Sequence, residues 1–246
     1  MMSNRLTEIE IHDTWKSILD EPVMNMLDNI DNQIGSNFTP PADKVLRFMS
    51  NDIHSWKVVI LGQDPYPAPG AANGRAFQPD YLVDWLQTHR HSSLKNILRL
   101  LYKTYLQKES TGWVSENPSY QDVKTALATG LFPIAQPRQW FDSTESQGVL
   151  WLNTSLTCET GNSNSHKEIW EQFSRWVINR LSTFNPNLIW FLWGSEAQSM
   201  EAWIRGNPKG YMSRHPMMCS DKYLNDFMYS KCFYDTWELI DWLGKK

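Results

Sequence analysis

Short apolar runs alternate along the chain with longer segments in which apolar residues recur every three or four positions. Three of the apolar runs have the length of strands buried on both faces, and residues 211–214 form a fourth candidate; the three runs lie at residues 58–61, 148–152 and 188–193. Helical patterns occupy much of residues 1–50, where residues 42–49 form a short helix of their own. Further helical patterns lie at residues 94–105, 123–128, 169–181 and 234–243. This alternation predicts an α/β fold with a parallel sheet.

The helix starts are predicted from capping signals. We expect Ser92 or Ser93 to cap the helix that follows them, and residues 165–168 and 195–198 to form capping boxes. Residues 139–141 belong to the stretch with the weakest pattern, and we expect them to be exposed or to pack at the rim.

Polar residues stand at the ends of three predicted strands. Asp64 follows the first strand, Asn153 ends the second and His215 follows the fourth. The carboxyl ends of parallel strands meet at one edge of a sheet, where ligands bind in open α/β folds. Pro65 biases Asp64 toward an extended backbone, and the prolines after it stiffen the loop. A carboxylate held in this way suits charge stabilisation or water activation.

Asn153 has two interpretations at this stage. Its amide offers a donor and an acceptor side by side, which is what reading the edge of a nucleobase requires. An asparagine at a strand end can equally satisfy backbone groups in a turn, which is the more common situation. With Asp64 and His215 at neighbouring strand ends, the sequence predicts one cleft that holds all three side chains.

Composition sets limits on the class of protein. The chain has 246 residues, of which 41% are hydrophobic, and no linker-like stretch divides it. We therefore expect one domain over residues 1–246, with an N-terminal helical part at residues 1–50. The net charge of -4 excludes a uniformly basic nucleic-acid binder and leaves room for a local basic face.

Cysteine usage and the N-terminus indicate the cellular compartment. The three cysteines are an odd number without CxxC spacing, which argues against a disulfide framework and a cysteine-based zinc site. The N-terminus is polar, and no stretch has the length and apolarity of a membrane span. We expect an intracellular, cytoplasmic protein that is monomeric and makes no contact with membranes.

Four segments resemble, in order and at similar spacing, the signature segments of the uracil-DNA glycosylase family, and specifically its family 1. They are GQDPYPAPGAANGRAF at residues 62–77, GVLWLNTSLT at 148–157, FLWGSEAQ at 191–198 and HPMMCS at 215–220. The resemblance implies a three-layer α/β/α sandwich with a central four-stranded parallel sheet. It also implies base excision repair without a metal or an organic cofactor: the deoxyuridine is flipped out of DNA, its N-glycosidic bond is hydrolysed, and an abasic site remains.

The resemblance further implies roles for single residues. Asp64 stabilises the oxocarbenium-like sugar and orients or activates the attacking water, and His215 donates a hydrogen bond to uracil O2 as negative charge grows on the base. Asn153 reads N3–H and O4, Phe77 stacks on the base, and Tyr66 fills the space that a thymine methyl would need. Gln63 lines the same pocket. These roles agree with the charges that develop when a pyrimidine leaves a sugar.

Contacts to DNA are implied in the same way. Ser93 and Ser220 match serines that hold phosphates beside the flipped nucleotide, and residues 210–220 correspond to the loop that enters the minor groove. The predicted DNA-binding residues are Ser93, Pro216, Met217, Met218, Cys219 and Ser220. The partners implied are uracil-containing DNA, single- or double-stranded, and the DNA-mimicking inhibitor proteins that target this family.

The chain also departs from the family pattern. The usual HPSPLS is here HPMMCS, so that Cys219 stands in place of the leucine that fills the gap left by the flipped base, and Met217 replaces a serine. Met217 or Met218 is an alternative wedge, because a flexible thioether chain fills irregular gaps. Pro67 replaces a histidine of the water-activating loop, which predicts slower turnover, and Arg75 replaces an apolar residue next to the Phe77 wall.

Two alternatives to uracil excision follow from these departures. One is excision of another, enlarged pyrimidine, which the Tyr66 ring argues against. The other is a catalytically weak DNA-binding module on the same fold, which the set Asp64, Asn153 and His215 argues against. A panel of modified-base oligonucleotides separates the first from uracil excision, and DNA binding without base release identifies the second.

Overall fold

The computed structural model describes residues 4–109 and 117–245. Its helices and strands, in chain order, are α1 (Asp13–Lys16), α2 (Glu21–Ile34), β1 (Phe38–Thr39), α3 (Ala42–Val45), β2 (Val58–Gly62), α4 (Ser92–Glu109), α5 (Tyr120–Ala128), α6 (Pro137–Ser146), β3 (Val149–Asn153), β4 (Cys158–Glu159), α7 (Lys167–Phe184), β5 (Ile189–Trp193), α8 (Ser195–Ser199), β6 (Lys209–Ser213) and α9 (Cys232–Asp235). Short 3-10 helices lie at Arg5–Thr7, Arg47–Ser50, Ile53–Ser55, Trp85–Arg90, Glu201–Trp203, Pro216–Met218 and Phe227–Tyr229.

The centre of the structure is a parallel four-stranded sheet in the order β3-β2-β5-β6. The register places Gly62, at the end of β2, opposite Asn153, at the end of β3, and Leu61 opposite Leu192 in β5. All four strands run in the same direction, so their carboxyl ends share one edge of the sheet. The predicted α/β fold with its four-stranded parallel sheet is confirmed.

Hydrophobic cores cover the sheet on both faces. Val59 and Leu61 of β2 point into a core with α2 and α7, whereas Val58 and Ile60 point into a second core with α4 and α6. The alternation follows from the period of two along a strand, and it explains why β2 is apolar throughout. Helices on both faces hold the sheet rigid beneath its carboxyl edge.

The N-terminal part, for which the sequence predicts helices, contains α1, α2 and α3. Residues 1–3, which the prediction included, lie outside the described residues. The strand pair of β1 and β4 ties this part to the segment that follows β3, with Phe38 opposite Glu159. None of the described helices has the length and apolar content needed to cross a membrane.

The predicted helix caps are wrong at three starts. Helix α4 begins at Ser92, so Ser92 and Ser93 lie inside its first turn. Helices α7 and α8 begin without a side-chain cap, because the expected capping groups bind elsewhere. The Ser165 hydroxyl accepts the Glu159 N–H at 2.7 Å, and the Gln198 amide donates to the Ser213 carbonyl at 2.7 Å.

Two further expectations are wrong in part. Residues 139–141 lie in α6, where Gln139 is exposed as expected, whereas Trp140 and Phe141 are fully buried and pack against Trp151 at centroid distances of 5.3 and 4.9 Å. Of the helix predicted at residues 234–243, only residues 234 and 235 are helical, as the end of α9, and turns follow them. Trp242 is still buried against Phe191 and Phe233, and its indole N–H donates to the hydroxyl of Thr236 at 2.9 Å.

Candidate active site

Three strand ends converge on one cavity of about 350 Å³ at the carboxyl edge of the sheet. Its lining includes eight of the residues predicted from the sequence: Gln63, Asp64, Tyr66, Phe77, Ser93, Asn153, His215 and Met217. Four other predicted residues do not line it: Pro216, Met218, Cys219 and Ser220. The structure therefore brings together the predicted catalytic and base-reading side chains and leaves most of the predicted DNA-contacting loop outside the cavity.

Gly62 makes room for the Asn153 amide. A Cβ atom at Gly62 would overlap Asn153 Oδ1 and would lie 2.8 Å from the Cβ of Ala76. Because the glycine has no side chain, the amide lies directly against the end of β2, where it is 4% exposed and faces the cavity. The position requires a glycine for close approach and not for an unusual backbone angle.

The proline-rich loop after β2 is fastened to the segment that follows β3. The Gln63 carbonyl accepts the Thr154 hydroxyl and the Ser155 N–H, both at 2.9 Å. Further along, the Pro67 carbonyl accepts the Gly161 N–H at 2.8 Å. The loop that carries the carboxylate is therefore held at both ends, in addition to the restriction that its prolines impose.

Asp64 is oriented by two residues that sequence reasoning missed. Its Oδ2 accepts the Ser163 hydroxyl at 2.6 Å and the Asn164 backbone N–H at 2.8 Å. Asn164 has a φ of 65°, and its side-chain oxygen accepts the Gln63 amide. No described residue donates to Oδ1, which remains available to the cavity. The only sequence signal was the polar run at residues 161–165.

His215 is held in one tautomer. It precedes the 3-10 helix Pro216–Met218, and its Nδ1 accepts the Met217 N–H at 3.1 Å. A ring nitrogen that accepts a hydrogen bond carries no proton, so the proton of the neutral ring is on Nε2. Burial lowers the pKa of His215, which favours that neutral form. Gly194 allows the close approach of the ring, since a Cβ there would lie 2.9 Å from the His215 Cβ.

Aromatic rings form the walls of the cavity. The Phe77 ring lies 6.0 Å from the His215 ring and 5.6 Å from Trp193, measured between centroids. Phe77 has a φ of 65°, and its carbonyl accepts the Tyr66 hydroxyl at 3.2 Å. Burial raises the pKa of Tyr66 well above its ordinary value, so its hydroxyl is neutral and donates this bond. The two rings therefore form a linked wall.

Arg75, one of the departures from the family pattern, is buried behind this wall. Its guanidinium pairs with Glu145 and Asp142 of α6, the latter at 2.6 Å, and donates to Gln78 at 2.9 Å. The side chain is 6% exposed. An arginine in place of an apolar residue is therefore accommodated because α6 provides two carboxylates, and the pairing fixes the segment that leads to Phe77.

The predicted DNA-binding loop presents its methionines to solvent. Met217 and Met218 are 59% and 53% exposed, whereas Pro216 is buried. The Cys219 thiol donates to the Pro216 carbonyl at 3.2 Å, and burial raises its pKa to about 12. Among the wedge candidates, the two methionines are accessible to solvent, whereas the Cys219 thiol is bound to the backbone of Pro216.

The two predicted phosphate-binding serines differ in position. Ser93 lines the cavity from the first turn of α4. Ser220 lies beyond the methionines, where its backbone N–H donates to the buried carboxylate of Asp226 at 2.6 Å. Within residues 4–109 and 117–245, His, Cys, Asp and Glu side chains do not gather in any group of three that could hold a metal ion.

Comparison with known proteins identifies the class. The sequence model of the uracil DNA glycosylase superfamily matches residues 50–238. A uracil-DNA glycosylase of Corynebacterium efficiens is 30% identical over 246 residues, which cover 97% of this chain and 90% of that protein. The uracil-DNA glycosylase of Corynebacterium glutamicum is 31% identical over 98% of this chain and 92% of its own length.

Solved structures show the same fold. The wild-type UNG of Nitratifractor salsuginis superimposes with a TM-score of 0.68 at 22% identity, covering 94% of this chain and 93% of that one. Mimivirus uracil-DNA glycosylase superimposes with a TM-score of 0.56 at 22% identity, over 83% of this chain and 67% of that one. The sequence matches place the protein among the DNA glycosylases that act in DNA repair. The chain belongs to the uracil-DNA glycosylase superfamily.

Proposed function

We propose that this protein is a family 1 uracil-DNA glycosylase, which hydrolyses the N-glycosidic bond of deoxyuridine in DNA, releases uracil and leaves an abasic site. The observation that carries the proposal is the convergence of Asp64, Asn153 and His215 on one cavity of about 350 Å³. The relatives of about 30% identity that are named uracil-DNA glycosylase support the choice of base.

Asp64 is assigned to the sugar side of the reaction. Breaking the bond between a pyrimidine and its sugar leaves positive charge on the sugar, and a fixed carboxylate stabilises that charge. Oδ2 is occupied by Ser163 and Asn164, so Oδ1 is the oxygen that faces the sugar or the attacking water. Pro67 offers no imidazole to the water, and the carboxylate therefore acts on it without that help.

His215 is assigned to the base side. As the bond breaks, negative charge moves onto the leaving uracil, and a donor aimed at O2 stabilises it. The neutral His215 ring has its proton on Nε2, because Nδ1 is occupied by the Met217 N–H. Because the pKa of His215 is lowered, its ring is neutral. A neutral imidazole suits this role, because it does not transfer its remaining proton to the weakly basic uracil anion.

Base selection is assigned to the remaining walls. The Asn153 amide can pair with N3–H and O4 of uracil, and an exocyclic amino group at position 4 would face its donor instead. Phe77 supplies a stacking surface. The Tyr66 ring is fixed by its bond to the Phe77 carbonyl, so it cannot swing away to admit a substituent at C5.

The direct experiment uses an end-labelled oligonucleotide that contains one uracil, tested in single- and double-stranded form. The protein should convert it to an alkali-labile abasic product, and Asp64→Asn should slow this by more than about a hundredfold. Asp43→Asn, which makes the same change on the exposed side of α3, serves as the matched control. A wild-type protein that releases no uracil from either the single-stranded or the double-stranded oligonucleotide would refute the proposal.

The two alternative functions are separated by the same assay. Oligonucleotides with C5-substituted pyrimidines test for an enlarged base, and preference for one of them over uracil would favour that activity. Binding to these oligonucleotides without any base release would instead indicate a DNA-binding module. The fixed Tyr66 ring and the intact cavity favour uracil excision over both.

DNA-mimicking inhibitor proteins are proposed as a second kind of partner. Mimivirus UNG variants Y322L and Y322F have been solved in complex with UGI. For this chain, inhibition by UGI would require that the 215–220 segment accept the same partner despite its two exposed methionines. Titration of the uracil-excision assay with UGI tests this, and full activity at excess UGI would argue against the partnership.

A further inference from the structure

Arg214, immediately before His215, carries a positive charge that no group in the described structure neutralises. Its guanidinium carbon lies 3.6 Å from the centre of the Tyr223 ring. Neither the ion pairs nor the side-chain hydrogen bonds of residues 4–109 and 117–245 include this guanidinium. Its Nη1 is shielded from solvent and has no hydrogen-bond partner. A shielded, charged donor without a hydrogen-bond partner costs free energy, which indicates that a ligand accepts a hydrogen bond from this guanidinium.

The position of Arg214 indicates which ligand its guanidinium binds. Two further hollows adjoin the base cavity, and His215 lines all three. The middle hollow, of about 180 Å³, lies between Gln63, Gly194 and Met218, and the outer one, of about 310 Å³, includes Arg214 and Asn225. We call these three hollows together the His215 groove. The base cavity and the outer hollow, which includes Arg214, share His215 in their lining.

Charge along the His215 groove favours an anion at its outer end. Glu196 lines the middle hollow, and its carboxylate is paired with Lys167 at 2.6 Å. Met217 and Met218 offer no hydrogen-bond donor from their side chains. Arg214 is therefore the cationic group at the outer hollow that lacks a protein partner.

We propose that Arg214 binds a backbone phosphate of the DNA strand next to the flipped nucleotide. In the free protein the guanidinium rests on Tyr223, and rotation off the ring brings its donors to the phosphate, for which the planar fork is well matched. The proposal rests on the proposed function only in taking DNA as the ligand.

The test measures the dissociation constant for a duplex with a stable abasic-site analogue, between 50 and 300 mM salt. Arg214→Gln should weaken binding about fivefold at the lowest salt and reduce the slope of log K against log salt by about 0.9. Arg214→Lys should keep the wild-type slope, because it keeps the charge. Arg205→Gln, which removes the same charge from an exposed residue that does not line the His215 groove, is the control.

An unchanged slope in Arg214→Gln, or a change no larger than in Arg205→Gln, would overturn the proposal. So would a wild-type protein that does not bind the duplex. The result is separable from the proposed function, because binding to an abasic-site analogue requires no uracil chemistry. Excision of uracil by the wild type with no effect of Arg214→Gln would reject this inference and leave the activity in place.

Discussion

The backbone N–H of Asn164 donates to Oδ2 of Asp64 at 2.8 Å, across 100 positions of sequence. Asn164 adopts a φ of 65°, in the left-handed region that asparagine tolerates better than most residues. With the Ser163 hydroxyl on the same oxygen, the Asn164 N–H fixes the carboxylate in one orientation and leaves Oδ1 without a donor among the described residues. The turn at residues 163–164 is therefore part of the candidate active site.

Removal of the Ser163 hydroxyl should reduce the rate of base excision. A hydrogen bond to a charged group contributes about 1.5–3 kcal/mol. Because the Asn164 N–H remains, we expect Ser163→Ala to lower the single-turnover rate about tenfold, with a smaller effect on DNA binding. Ser199→Ala, which removes an exposed hydroxyl that bonds only to its own helix, is the control. Equal rates for wild type and Ser163→Ala would show that Asp64 needs no such support.

A methyl group at Gly62 should displace the Asn153 amide. Gly62→Ala would overlap Asn153 Oδ1, and the neighbouring Ala76 leaves no room for the backbone to shift the other way. We expect kcat/KM for uracil DNA to fall by a factor close to that of Asn153→Ala, about a hundredfold or more. Gly210→Ala is the matched control, because the structure places Gly210 inside strand β6 and outside the cavity lining, and a Cβ there meets no atom within 4 Å. Wild-type kcat/KM in Gly62→Ala would contradict the assignment of Asn153.

The sheet and the three strand-end residues could be predicted because each depends on local sequence. Residues 58–61 are apolar at every position, as a strand covered on both faces must be, and parallel strands bring the residues at their carboxyl ends, here Asp64 and Asn153, to the same edge of the sheet. Ser163 could not be found in this way. Its contact with Asp64 spans 99 positions, and its neighbours offer only a polar run that is equally typical of a loop.

The errors have a common physical origin in competition between partners. The Ser165 hydroxyl matches a capping pattern, yet it accepts the Glu159 N–H and donates to the Asn162 carbonyl, within the turn that precedes α7. Trp140 and Phe141 follow a proline in a polar stretch, and only the position of α6 over β3 shows that they face Trp151. Local propensity sets what a residue can do, and tertiary contacts decide among the options.

Stability should depend on pH through His215. Burial lowers the pKa of His215 from its ordinary value of about 6.5, so the unfolded chain binds more protons than the folded chain between the two values. The free energy of unfolding should therefore be constant above about pH 7 and should fall as the pH decreases through 6.5 toward the folded-state pKa.

His166 should contribute to the same pH dependence, because burial lowers its pKa as well. Urea unfolding between pH 5 and pH 8 should show a smaller decrease in His215→Gln than in wild type, and a further reduction in the double variant with His166→Gln. A His215→Gln curve parallel to the wild-type curve would mean that the imidazole titrates alike in the folded and unfolded chain.

Substitution of Arg75 should destabilise the fold and weaken catalysis together. Its guanidinium pairs with Glu145 in a buried site, and removal of one partner from such a pair typically costs about 3 kcal/mol. Arg47 also contacts Glu145, at 3.3 Å, which moderates the effect of the uncompensated carboxylate. We expect Arg75→Gln to lower the free energy of unfolding by about 2–3 kcal/mol in urea titrations.

Arg75→Lys separates the charge from the geometry of this network. A lysine keeps the charge but cannot contact Glu145, Asp142 and Gln78 together, so its stability should lie between those of wild type and Arg75→Gln. Because Arg75 fixes the segment that leads to Phe77, KM for uracil DNA should rise in both variants, in the same order as the loss of stability. Arg205→Gln controls for net charge. A loss of stability in Arg75→Gln without any change in KM would show that the Phe77 wall is held independently of the network.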